Sequence, residues 1–134
     1  MTIHDNLQPP DWVRPTGYAN GIAAQGRMVF TAGVIGWDAE EKIVATDFVG
    51  QFRQVIENTL AILAEGGAGP EHIVRMTWYI TDRDEYLAAA GAAGAIYREL
   101  IGRNFPTMAV VIVAGLIERA AKLEIETTAV VPAQ

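Results

Sequence analysis

Apolar and polar positions divide the chain into short runs with two different periods. Across residues 48–63 the apolar side chains Phe48, Phe52, Val55, Ile56, Leu60 and Leu63 recur at three- and four-residue steps, one face of a helix. Asp47 stands where an N-cap belongs, and Gly66-Gly67-Ala68-Gly69-Pro70 stops the helix. Residues 72–81 alternate instead and are rich in Val, Trp, Tyr and Ile, so they read as a strand. Thr81 with Asp84 resembles a capping box that opens a second helix running to about residue 101, with Gly102 at its C′ position. Gly91 and Gly94 inside that helix cost about 1 kcal/mol each relative to Ala, and close packing of the helix onto a sheet is the favoured reading.

The remaining elements are strands. Residues 18–24 and 27–32 flank Gln25-Gly26 and read as a hairpin. Residues 107–114 and 121–131 follow the second helix, joined by a loop at 115–119. Residues 1–17 form an extended lead-in, because Pro9, Pro10 and Pro15 remove backbone donors, and residues 38–46 read as a polar loop. The order β-β-α-β-α-β-β predicts one sheet with both helices on one face, an α+β fold.

The last two strands carry more. Leu123, Ile125, Thr127, Ala129 and Val131 point one way, and Lys122, Glu124, Glu126, Thr128 and Val130 the other. Residues 108–114 are apolar on both faces, whereas a sheet covered on one side should be half polar. Two helices cover one face, so a second subunit is expected on the other.

Composition narrows the chemistry. The chain has 134 residues, 51% apolar and 19% charged, which fits one domain (1–134) and excludes a disordered chain. Cysteine is absent, so disulfides, thiol nucleophiles and Cys-based zinc sites are excluded. Two histidines, His4 and His72, are too few for a three-histidine metal site. Serine is also absent, so no Ser–His–Asp triad exists. A net charge of −6 with no basic run disfavours nucleic acid. No apolar stretch reaches membrane-spanning length, and the first residues lack a basic region followed by an apolar one, so a soluble cytoplasmic protein is expected.

Few residues are left for function. Glu124 and Glu126 share a strand face about 7 Å apart, a spacing open to acid–base work but more typical of a solvated or salt-bridged face near Lys122. His72 reads as a surface or capping residue. Trp12, Trp37 and Trp78 read as core or interface residues, with Trp37, beside Gly33 and Gly36, placed to line a pocket. Spacing alone names no reaction.

Several motifs together nevertheless resemble those of the RidA (YjgF-like) family. They are Gly17-Tyr18-Ala19-Asn20, Val29-Phe30-Thr31-Ala32-Gly33, Phe105-Pro106 and Leu123-Glu124-Ile125-Glu126, supported by residues 73–82 and 95–97. The resemblance runs from about Tyr18 to Val131. It implies a chorismate-mutase-like homotrimer with a central barrel, small-molecule clefts between subunits, and hydrolysis of reactive enamines or imines without cofactor or metal. Carried over by position, Glu124 handles water, Tyr18 and Gly33 line the pocket, and backbone near Val110 helps hold the water. Val34 replaces the usual Gln, Gly94 a common Asn, and Met108 the carboxylate-binding Arg. Losing that cation removes a charge-assisted contact of about 1.5–3 kcal/mol. The expected ligand is therefore less anionic or more apolar, with Met108, Trp37 and Val34 as adaptable contacts. A non-catalytic binding trimer is the alternative. The endoribonuclease or translation-inhibitor activity of some relatives fits the acidic balance poorly.

Overall fold

The computed structural model describes residues 3–133. In chain order its elements are β1 (Asp5–Leu7), β2 (Gly21–Ala23), β3 (Arg27–Phe30), α1 (Phe48–Glu65), a 3₁₀ turn (Pro70–His72), β4 (Ile73–Ile80), α2 (Arg83–Leu100), β5 (Thr107–Ile112) and β6 (Leu123–Val131). The main sheet has the order β3-β6-β4-β5. β6 is antiparallel to both β3 and β4, while β4 and β5 are parallel neighbours joined through α2.

The alternation in β6 separates the two faces as the sequence predicts. Leu123, Ile125, Thr127 and Ala129 are buried on the helix side, beside Met76, Trp78 and Ile80 of β4. α1 covers them with Phe48, Phe52, Val55, Ile56 and Leu63, all buried, while Leu60 is half-buried at its flank. Each such side chain contributes roughly 1.5–3 kcal/mol of burial free energy. The Asp47 carboxylate caps α1 by accepting from Gly50 N–H, and the chain leaves the helix at Gly66, the C-cap. The α+β class is as expected.

Four local expectations are corrected. The hairpin does not form: β2 pairs with β1 in a separate two-stranded sheet, and β3 pairs with β6. A tight two-residue turn of the I′ type needs positive φ at both positions, and here Gly26 (φ 150) has it but Gln25 does not. Residues 5–7 of the supposed lead-in are thereby a strand. α2 is capped by Asp82, whose carboxylate accepts from Glu85 N–H, while the Thr81 hydroxyl donates to the Lys122 carbonyl 3.3 Å away. Finally, Gly91 and Gly94 do not pack against the sheet: a Cβ at Gly91 would meet nothing, and one at Gly94 would touch only Arg98.

That last correction has a structural cause. α2 buries Ala93, Ile96 and Tyr97, far fewer side chains than α1, because its centre is Ala and Gly. Small residues leave a gap between α2 and the outer half of β5. There Val110 and Ile112, on the helix side, are as exposed as Val111 on the other. Both faces of this edge are therefore open, not the second one alone.

Candidate functional site

The gap beneath α2 is a cavity of about 420 Å³. Ala90, Ala93 and Gly94 form its α2 side, and Met108 and Val110 its β5 side. Tyr18 closes one end. It is held there because Ala19 N–H donates to the Pro106 carbonyl at 2.9 Å and Ala19 bridges to Thr107, pinning residues 17–19 beside the start of β5. Three of the sequence-selected residues, Tyr18, Met108 and Val110, thus share one wall system.

Sequence reasoning missed the aromatic part of this wall. Trp78 stands edge-on to Tyr86, with centroids 6.5 Å apart, and Tyr97 stacks on Phe105 at 6.3 Å. Burial holds the Tyr86 hydroxyl above the ordinary tyrosine range, and Tyr97 far above it. The Tyr97 hydroxyl donates to the Asn104 carbonyl at 2.7 Å. Other donors of the wall, the Tyr18 and Tyr86 hydroxyls among them, have no such partner among the described residues. The indole N–H of Trp78 is buried with no acceptor, and Arg98 forms no hydrogen bond or ion pair among the described residues. The helical spacing of Gly94 and Arg98 was the available signal for the latter.

The β5 edge adds backbone polarity. Val113 N–H donates to the Ile80 carbonyl at 2.9 Å, so by strand alternation the N–H and C=O of Met108, Val110 and Ile112 point away from β4. Backbone at Val110 is thus free beside the cavity.

The other selected residues gather elsewhere. Thr31 N–H donates to Thr127 O, and Val34 exchanges two hydrogen bonds with Ile125, at 2.8 and 2.9 Å. This extends the β3–β6 pairing and lays Gly33 across Glu124. A Cβ built on Gly33 would overlap the Glu124 carboxylate. Glu124 is half-buried, and its carboxylate accepts no hydrogen bond from the described residues. Asn58 secures the same segment by donating to the carbonyls of Ile35 and Trp37 at 3.2 and 2.8 Å. Val34, Trp37, Gly33 and Glu124 do not line the cavity of Tyr18 and Met108. Within one chain the selected residues therefore fall into two groups.

The neighbouring candidates have structural partners. Glu126 accepts from the Tyr79 hydroxyl at 2.6 Å, a bond that, with desolvation and the nearby carboxylates, raises the tyrosine pKa. Lys122 pairs with Glu85 at 2.9 Å and not with the strand glutamates. His72 Nδ1 accepts from Gly69 N–H at 2.9 Å, closing the 3₁₀ turn. Among the described residues no three His, Asp or Glu side chains gather as a metal site, and no helix is long and apolar enough to cross a membrane.

The Endoribonuclease L-PSP family matches residues 13–131. The chain belongs to this family. Its relatives include the protein DfrA of Myxococcus xanthus, 35% identical over 133 residues, covering 96% of this chain and 93% of that one. The 2-iminobutanoate/2-iminopropanoate deaminase of Salmonella typhimurium is 34% identical over 113 residues, covering 84% and 86%. Among solved structures, YyfB of the conserved Rid protein family from Yersinia pestis superposes with a TM-score of 0.81 at 26% identity, covering 93% and 97%. The RidA-type resemblance read from the sequence is thus correct. Names of reactive-intermediate deaminases occur within this L-PSP family, and the α+β fold is the Rid fold.

Proposed function

We propose that this protein is a Rid-type hydrolase of imines or enamines, acting on a substrate that is uncharged or anchored differently from a small 2-imino acid. The observation that carries the reading is the Glu124 carboxylate, seated on the bare α-carbon of Gly33 with no hydrogen-bond donor of its own. In the reaction, Glu124 orients a water and takes its proton as the oxygen bonds to the imine carbon. The imine nitrogen takes up a proton to give the carbinolamine. Glu124 then returns its own proton to that nitrogen, the C–N bond breaks to release ammonia, and the remaining hydroxyl loses its proton as C=O forms. General-base assistance of this kind contributes roughly 10²–10⁴-fold.

The assembly we propose is a homotrimer with the Tyr18–Met108–Val110 half of each site facing the Gly33–Glu124 half of a neighbour. Support comes from the split of the two groups within one chain and from the exposed apolar surface at Met28, Phe30, Val111 and Ile112. Burying such surface on association is favourable. A cytoplasmic location fits the same reading.

The test is turnover of imines generated by an amino-acid oxidase, with unreacted imine trapped by semicarbazide. Wild-type protein should suppress trapping, and Glu124→Ala should lose at least 100-fold in rate. No rate above background with any imine, or full activity in Glu124→Ala, overturns the proposal. Binding without turnover would establish the alternative, a non-catalytic small-molecule trimer, which the apolar Met108 wall favours. Light scattering should give three times the chain mass, and a monomer would contradict the intersubunit site.

A further inference from the structure

We infer that Arg98 is the anion anchor of the cavity, and that the ligand is an aryl carboxylate whose ring lies among the aromatic walls. This rests on reading the cavity as a ligand site. It goes further by naming the ligand class and the residue that selects it.

The cavity sets one cation, Arg98, among aromatic side chains. Tryptophan indole and the arginine guanidinium can only donate, so each can be satisfied only by an acceptor. Trp78 lines the cavity at 6% exposure, and its N–H has no acceptor. That N–H is itself sealed from solvent, so Trp78 serves the cavity as an aromatic wall and not as a donor.

Arg98 is exposed and, like Arg14, Lys42, Arg75, Arg83, Arg103 and Arg119, has no side-chain partner among the described residues, but it is the cation that lines the cavity, while other cations hold the fold together. Arg53 forms a two-pronged pair with Glu99 at 2.9 Å, Lys122 pairs with Glu85, and Arg27 donates to the Gly66 carbonyl. Arg98 has none of these, although Glu99 is its chain neighbour. Its guanidinium instead folds back along α2, with Nη1 3.5 Å from where a Cβ on Gly94 would stand. Glycine at position 94 thus leaves the lane along which the guanidinium reaches the cavity. A branched or amide side chain there would occupy it.

The remaining walls fix the rest of the ligand. Trp78, Tyr86, Tyr97 and Phe105 offer flat apolar surfaces, and Met108 provides a flexible thioether opposite α2. An aromatic ring fills such a space, and its carboxylate meets a guanidinium fork as a charge-assisted pair. Arg98 reaches the cavity from α2, across from Met108 of β5. With the anchor on α2, the space beside Met108 is left to an apolar body.

Calorimetry with phenylacetate and phenylacetamide, which differ only in the charged group, tests the inference on the full-length protein. Phenylacetate should bind at least tenfold tighter than the amide, with an affinity that falls as salt is raised. Arg98→Gln should bring phenylacetate down to the amide's affinity, and Arg98→Lys should recover part of the gap. Trp78→Phe should weaken both ligands. Equal binding of acid and amide, or an Arg98→Gln variant that keeps the preference, overturns the anchor while leaving the cavity as a ligand site. No binding of either compound alongside Glu124-dependent imine hydrolysis overturns the inference alone. No binding and no hydrolysis removes both readings.

Discussion

Glu124 places its carboxylate where a side chain on residue 33 would have to grow. Gly33→Ala therefore forces a clash at the flexible end of Glu124, not in the backbone. The fold should tolerate it, with a stability change of under about 1 kcal/mol. Imine hydrolysis should fall about as far as in Glu124→Gln. Thermal melting beside steady-state rates checks this, and a Gly33→Ala enzyme of normal rate would show that the pairing has no catalytic consequence.

Gln51 is the polar hub of the core. It is fully buried, donates to the carbonyls of Ala45 and Ala120 at 3.0 and 2.9 Å, and accepts from Lys122 N–H at 2.8 Å. It thus ties α1 to the approaches of both α1 and β6. Gln51→Leu keeps the volume but strands these backbone groups, and should cost about 2–3 kcal/mol in urea titration. Since Gln51 touches neither half of the site, the intact fraction should keep its specific activity.

Alkaline pH should weaken the fold through Tyr97. Burial raises its folded pKa above the unfolded value of 10.0, so its stabilising effect is complete below pH 10. Above that, the unfolded chain loses a proton the folded one keeps, and stability declines as pH rises. Tyr79 and Tyr86 act in the same direction. Tyr97→Phe should start lower by about 1 kcal/mol for the lost bond to Asn104 and then decline less between pH 8 and 10.5. Parallel curves for the two proteins would rule out Tyr97 as the source.

Met108 separates the chemistry of the pocket from its anchor. Met108→Arg restores a cation to β5, and should raise kcat/KM for small 2-imino acids by tenfold or more, the value of one charge-assisted contact. The gain should vanish when Glu124 is also replaced by Gln. No gain from the single variant would mean that the rest of the wall rejects small carboxylates.

Much of the fold is legible in the sequence. The three- and four-residue period of α1 and the alternation of β6 as far as Ala129 are each set by one buried face, so pattern and structure coincide there, while Val130 is buried on the other side. The expected hairpin fails because Gln25-Gly26 satisfies the composition of a tight turn but not its dihedral angles. Gly91 and Gly94 depart from expectation because a glycine in a helix has two physical meanings, close contact or vacant space, and sequence does not separate them. Tyr18, Met108 and Glu124 could be placed only through motif similarity. Arg98 and the aromatic walls are not legible because their importance lies in facing one cavity, which no pattern of residue types displays.

The sparse burial of α2 also sets a scale of motion. An 18-residue helix seated by three buried side chains, beside one seated by seven, opens to solvent at a lower free energy. Amide exchange should therefore be faster along residues 85–95 than along α1. A ligand in the cavity would have to bridge α2 to β5 and slow that exchange, so occupancy can be followed as protection of one helix. The small residues that hollow out the binding space also make its roof the first part of the core to breathe.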